Sequence, residues 1–287
     1  MNIFVGILIV IACTFGSYMA SGGHIAIIWQ PFEILIIFGS GVGAYIIANP
    51  KSVRKRILKE LKASTKKPKY GKAQFIELLT VQYAVFKLAK TRGMLALEQH
   101  IENPHDSAMF QQFPTFVHDH HALEFFCDYL RLISLGADKP YEVEALMDEE
   151  LEVHHQEDHA VSHSLQTMAD GMPALGIVAA VLGVIHTMGS ITEPPEVLGH
   201  LIGAALVGTF LGVWISYGYL APLASNLQAR FDAESKYLQC LKVGMIAYLH
   251  GAAAAIAVEF ARKALTSDVR PTFVEVEEAT AALPNMT

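Results

Sequence analysis

His155, His159 and His163 recur every four residues beside Glu152 and Asp158. That spacing puts three imidazoles on one face of a helix, an arrangement that suits a divalent metal. His118, His120 and His121 form a second group. Histidines on an acidic helix are more often solvated, so no metal site is expected from them. No Walker loop, G-x-S-x-G or CxxC constellation is present, which argues against nucleotide or covalent chemistry and against an enzyme. Cys13, Cys127 and Cys240 are scattered and read as reduced packing residues.

The remaining candidates are apolar or weakly polar. Pro173 and Pro222 stand near the ends of two apolar runs. A proline inside a helix removes a backbone hydrogen bond and kinks it, so the pair would make two hinge points; at helix ends they would mark boundaries. Thr209 is one of the few hydroxyls deep in such a run, where bonding to its own helix is the ordinary role. Gly176, Ala179, Ala180 and Gly183 in one run, and Gly203, Ala204, Ala205, Gly208 and Gly212 in another, allow close helix packing or leave room for a partner helix.

The elements that carry these residues are four long apolar runs: Ile3–Ala20, Phe32–Ala48, Met172–Met188 and Leu201–Ala224. Each approaches the ~20 residues a helix needs to cross a hydrocarbon core. Lipid offers no hydrogen-bond partner to a bare backbone, so the runs should be helices. Their ionisable side chains are Glu33 in the second and His186 in the third, both near the outer ends. An ion pathway normally displays an ionisable group in the membrane. This chain alone is therefore an incomplete ion carrier, and a partner must bring the acid.

Ten Lys or Arg lie between Lys51 and Lys72, whereas Ser21–Trp29 and Thr192–Gly199 carry none. The positive-inside rule places 50–170 and 226–287 in the cytoplasm, with both termini inside. The expected fold is all-α: a polytopic membrane protein with four transmembrane helices and a large helical cytoplasmic domain. Expected boundaries are 1–49 for the first helix pair, 50–170 for the cytoplasmic domain, 171–225 for the second pair and 226–287 for a cytoplasmic helix and tail. Within the polar part, Phe116–Leu135 reads as an amphipathic helix ended by Gly136, and Tyr141–Ala169 as one running towards the third span. Val243–Val258 reads as a continuing cytoplasmic helix rather than a fifth span, and the tail after Arg270 as prone to fray at its end.

The chain resembles the MotA family of flagellar motor stator subunits over nearly its whole length. The resemblance runs from Trp29-Gln30-Pro31-Phe32-Glu33-Ile34 to Val258-Glu259-Phe260. Its strongest pieces are Glu144-Ala145-Leu146-Met147-Asp148-Glu149-Glu150, Pro173 to Val181, and Gly208-Thr209-Phe210-Leu211-Gly212. It implies a pentamer of this chain around two copies of MotB, whose membrane helix supplies the missing aspartate. Ion flow would then turn the pentamer in the bacterial inner membrane and push on the rotor protein FliG. Membrane lipid is the remaining partner; no nucleic acid is implied.

Residue by residue, Pro173 and Pro222 match the family's two functional prolines, and Thr209 a threonine facing the ion path. Ala180 falls where sodium-driven relatives carry a threonine. Alanine offers no ligating oxygen, so the resemblance implies protons as the coupling ion and no cofactor. The rotor-contacting charges match Lys90 and Glu98, with Arg92 close by and Glu150 in the acidic motif. Lysine in place of the family's arginine keeps charge without the planar fork, which suits a long-range electrostatic role. The alternatives are a sodium-driven stator, an ExbB or TolQ type energy transducer, whose members typically have three spans, and a metal-binding membrane transporter or enzyme using the histidines.

Overall fold

In the computed structural model, residues 2–66 and 69–284 are described. The principal helices, in chain order, are α1 (Ile3–Ala20, with a π-helical turn at Ala12–Gly16), α2 (Pro31–Ala48) and α3 (Lys51–Ser64). Then come α4 (Lys72–Arg92), α5 (Leu95–Glu102), α6 (His120–Ser134) and α7 (Pro140–Met188). After α8 (Pro195–Ile215) a π-helical turn at Ser216–Leu220 leads into α9 (Ala221–Leu249), followed by α10 (Ala254–Lys263) and α11 (Phe273–Ala281). No strand occurs among the described residues, and the all-α expectation holds.

Among the described residues, four stretches are long and apolar enough to cross a membrane: Ile3–Ala20, Ile25–Ala48, Pro140–Met188 and Pro195–Leu249. They contain the four runs read from the sequence. The chain divides into two compact units, one of residues 1–67 and 157–230, the other of 68–156 and 231–287. Helices α7 and α9 each contribute to both.

In the first unit the core is Ile37 from α2, Met172 and Ala179 from α7, and Val207, Leu211 and Ile215 from α8. Gly41 lets α2 approach α7; a β-carbon there would meet Met172 Cε at 2.6 Å. Helix α1 joins through aromatic edges: the Phe15 and Trp214 rings lie 4.9 Å apart, and Trp214 Nε1 donates to Thr14 Oγ1 at 3.1 Å. Outward faces stay apolar. Phe32 is 78% exposed, Leu8 67% and Ile47 89%, a surface that suits lipid or another helix rather than water.

In the second unit α4 is buried on nearly every side, from Phe75 through Val81 and Phe86 to Ala89. Around it pack Phe126 and Leu130 of α6, Leu241 and Met245 of α9, and Ala257 and Ala261 of α10. Its apolar residues occupy most of its circumference between charged ends, as suits a helix at such a centre.

Two sequence expectations change, and one open alternative closes. The amphipathic helix begins at His120, not Phe116: Asp119 has non-helical φ and ψ and its side chain accepts from the Ala122 N–H, capping α6, while Pro114–Val117 is a separate turn. The segment 243–258 is not one helix, because Gly251, at φ 89°, ends the helical path after Leu249. Within the tail after Arg270, α11 forms through a capping box between Thr272 and Glu275; the end expected to fray, 285–287, lies outside the described residues. Pro173 does not mark a helix end, since it lies inside α7. Pro222 sits in the first turn of α9, directly after the π-helical turn.

Candidate functional site

Helices α7 and α8 touch backbone to backbone. A β-carbon at Gly212 would lie 2.6 Å from the Met172 carbonyl oxygen, and one at Gly208 would lie 3.0 Å from both Ala179 Cβ and the Ala180 nitrogen. A β-carbon at Gly183 would meet Ala205 Cβ at 2.8 Å. Glycine is required here by close approach, the small-residue packing expected from the sequence. Of the predicted site residues, Ala180 has its backbone nitrogen against Gly208, and Thr209 follows Gly208 in sequence.

Thr209 differs from four other helical threonines. Thr80, Thr91, Thr167 and Thr187 each donate their hydroxyl to a carbonyl one turn back. Thr209 is half-buried and makes no hydrogen bond among the described residues, so its hydroxyl is not spent on its own helix. Ala180 is likewise half-buried. At these two positions the helices offer only a methyl and a hydroxyl.

Pro173 has no N–H, so the Ala169 carbonyl four residues earlier loses its intrahelical donor. Ser216, from the turn after α8, donates its Oγ to that carbonyl at 2.6 Å. Ser216 is not legible in the sequence because a single serine inside an apolar run carries no pattern. Pro222 is exposed and stands six residues beyond it.

The charge cluster lies in the second unit. Lys90 and Arg92 are exposed in the last turn of α4, and Gly93 at φ 83° turns the chain into α5, where Glu98 is exposed. Among the described residues none of the three has an ion-pair partner in the chain. Glu150 is different: it accepts from Tyr129 Oη at 2.7 Å and lies 3.7 Å from His154 Nε2. The turn at Gly93 brings Lys90, Arg92 and Glu98 onto one short stretch, whereas Glu150 is engaged elsewhere in the same unit.

The basic run proves partly structural. Arg56 pairs with Glu157 and Asp158. Lys69 Nζ lies 3.0 Å from buried Asp119, which also accepts from Tyr70 Oη at 2.6 Å. Burial first, then Asp119, pushes the Tyr70 hydroxyl far above the usual phenol range. Lys72 pairs with Glu275. The exposed members include Lys51, Lys55, Lys59, Lys62 and Lys66.

The histidines regroup. His121 leaves His118 and His120 and meets His154, Nε2 to Nε2 at 3.1 Å, while the His159 and His163 rings stack with centroids 5.4 Å apart. Among the described residues no three His, Cys, Asp or Glu converge as a metal would need.

Residues 4–93 match the family described as motility protein A N-terminal, and 118–240 match the MotA/TolQ/ExbB proton channel family. The chain is 43% identical to Motility protein A of Escherichia coli (strain K12), covering 99% of this chain and 97% of that one. It is 36% identical to Chemotaxis protein LafT of Vibrio parahaemolyticus, covering 97% and 98%. Among solved structures, Campylobacter (C. jejuni) MotAB superposes with a TM-score of 0.77 at 18% identity, covering 93% of this chain and 96% of that one. The flagellar MotAB stator complex from Bacillus subtilis gives 0.69 at 25% identity, covering 89% and 92%.

Proposed function

The chain belongs to the MotA/TolQ/ExbB proton channel family as a motility protein A, and on that premise we propose that it is a proton-conducting subunit of the flagellar stator. The observation that carries this reading is the α7–α8 seam. It sets the Ala180 backbone against Gly208, the residue before Thr209, leaves the Thr209 hydroxyl unspent, and keeps Pro173 inside α7 one turn before the Gly176–Gly212 approach.

The apolar spans hold no acid at mid-depth, so the proton carrier must come from another chain. A MotB-type dimer, each copy offering one membrane aspartate, fits that need, and the similar solved structures are MotAB complexes. The exposed apolar faces of α1, α2 and α8 call for lipid and for further copies of the chain, in line with a pentamer ringing that dimer. Ala180 gives a metal ion no oxygen, which favours protons over sodium. Orientation in the bacterial inner membrane with both termini cytoplasmic follows from the exposed lysines of α3.

Torque would pass to FliG through Lys90, Arg92 and Glu98. They are exposed and carry no partner in the chain, so their field is available to a charged surface. Glu150, tied to Tyr129, would act by holding that surface. Pro173 and Pro222 would couple aspartate protonation to movement of the cytoplasmic part. Native mass spectrometry of the chain co-expressed with its MotB partner tests the assembly: a 5:2 complex is expected, and a stable particle lacking the partner would contradict it.

A further inference from the structure

Pro173, inside α7, leaves an acceptor behind, and a residue of the turn after α8 takes it. Position 173 has no N–H, so the Ala169 carbonyl has no donor from its own helix. An unpaired carbonyl in an apolar layer is costly. Ala169 and Ser216 are both almost fully buried, and Ser216 Oγ donates to that carbonyl at 2.6 Å.

A serine in a membrane helix ordinarily turns its hydroxyl to a carbonyl three or four residues back. Ser164 does so to Val161, and Thr187 to Gly183. Ser216 crosses to α7 instead. Its place is specific: it is the first residue of the π-helical turn, its carbonyl accepts from the Ala221 N–H, and the next residue is Pro222. A π turn is a common site of functional backbone adjustment. One turn earlier, Gly212 presses on the Met172 carbonyl with no room for a β-carbon, which holds the two strands of the contact in register.

We propose that Ser216 is a positioning residue of the stator, whose hydrogen bond to the Ala169 carbonyl latches the bend at Pro173 to the π-helical turn before Pro222, so that both prolines move as one hinge. The latch rests on the stator reading above. It depends on the proline, because an N–H at position 173 would reclaim the Ala169 carbonyl.

The test uses the full chain with its membrane partner and four variants: Ser216→Ala, Ser216→Thr, Pro173→Ala and the Ser216→Ala/Pro173→Ala double. On the purified complex, Ser216→Ala lowers the melting midpoint by about 2–4 °C. In the Pro173→Ala background it changes nothing further, because the orphaned carbonyl is gone. In tethered-bead records, Ser216→Ala at least halves the torque per stator step with the number of steps unchanged, and Ser216→Thr restores it. Additive melting shifts, unchanged torque per step, or a loss confined to the number of steps would each overturn the latch. A chain that drives no rotation yet gives the non-additive melting cycle overturns the stator reading and leaves the bond standing. Normal rotation with additive melting does the reverse.

Discussion

A β-carbon added to Gly176 would stand 2.7 Å from the carbonyl oxygen of Gly208, so α7 and α8 meet there with no side chain between them. Backbone cannot move aside as a side-chain tip can. Gly176→Ala is therefore expected to destabilise the complex by about 1–3 kcal/mol, despite the better helix propensity of alanine. Gly43→Ala, on α2 with nothing within 4 Å, is the matched control and should be neutral or mildly stabilising. Thermal unfolding of the two purified variants checks the pair; equal midpoints would contradict the seam.

Pro173 acts through the helix it bends. Pro173→Leu restores an N–H at that position and should leave assembly intact while stopping rotation. Stator number counted by fluorescence, alongside tethered-cell rotation, separates the two effects. Normal torque in this variant would remove the hinge role.

Lys90 and Glu98 are exposed and without an ion-pair partner among the described residues, so their value lies in an outside surface. Lys90→Arg should keep swarming near wild type, and Lys90→Glu should reduce it several-fold, with Lys90→Glu/Glu98→Lys worse than either change alone. Soft-agar swarm rates read this directly. A charge reversal without effect would take Lys90 out of the rotor contact.

Desolvation, and then the neighbouring His154 ring, lower the His121 pKa from its ordinary 6.5; Lys69 lowers it further, while Asp119 and Glu234 oppose. The folded state thus prefers neutral His121. Its contribution to stability is present above the ordinary value and is lost as pH falls below it, towards the lowered value. Hydrogen exchange around α6 should quicken on acidification from pH 7 to 5.5, and His121→Asn should flatten that change. An identical pH profile in the variant would dismiss it.

Glu275 is held near a pKa of about 2, first by Lys72, then by the Thr272 N–H and hydroxyl. A lowered carboxylate stabilises above its ordinary value near 4.5 and stops doing so as pH falls through about 2. Glu275→Gln, which weakens both the ion pair and the α11 cap, should expose α11 to proteases at neutral pH. Unchanged cleavage would show that the apolar contacts of Val276 suffice.

Much of this fold was legible in the sequence because the strongest signal, four long apolar runs, reflects a hard constraint on backbone in lipid. The all-α class and the small-residue seam followed from it. What escaped depends on contacts between distant residues. Asp119 caps α6 only because its φ and ψ leave the helix there, and Gly251 breaks a run that composition alone would continue. Lys69, Lys72 and Arg56 read as members of one basic run, yet each finds a carboxylate far along the chain. His121 was grouped with its sequence neighbours, whereas packing of α6 on α7 gives it His154. Pro173 was visible as a proline, but the acceptor it frees, and Ser216 that fills it, exist only once α7 and the turn after α8 lie together.

The most direct measurement is rotation of tethered cells lacking their own stators and complemented with this chain and its MotB partner, in low-sodium buffer with and without a protonophore. Rotation that needs the chain, persists without sodium and stops when the protonophore collapses the gradient is the predicted result. Rotation that tracks external sodium, or complemented cells that never turn, would contradict the proton-driven stator.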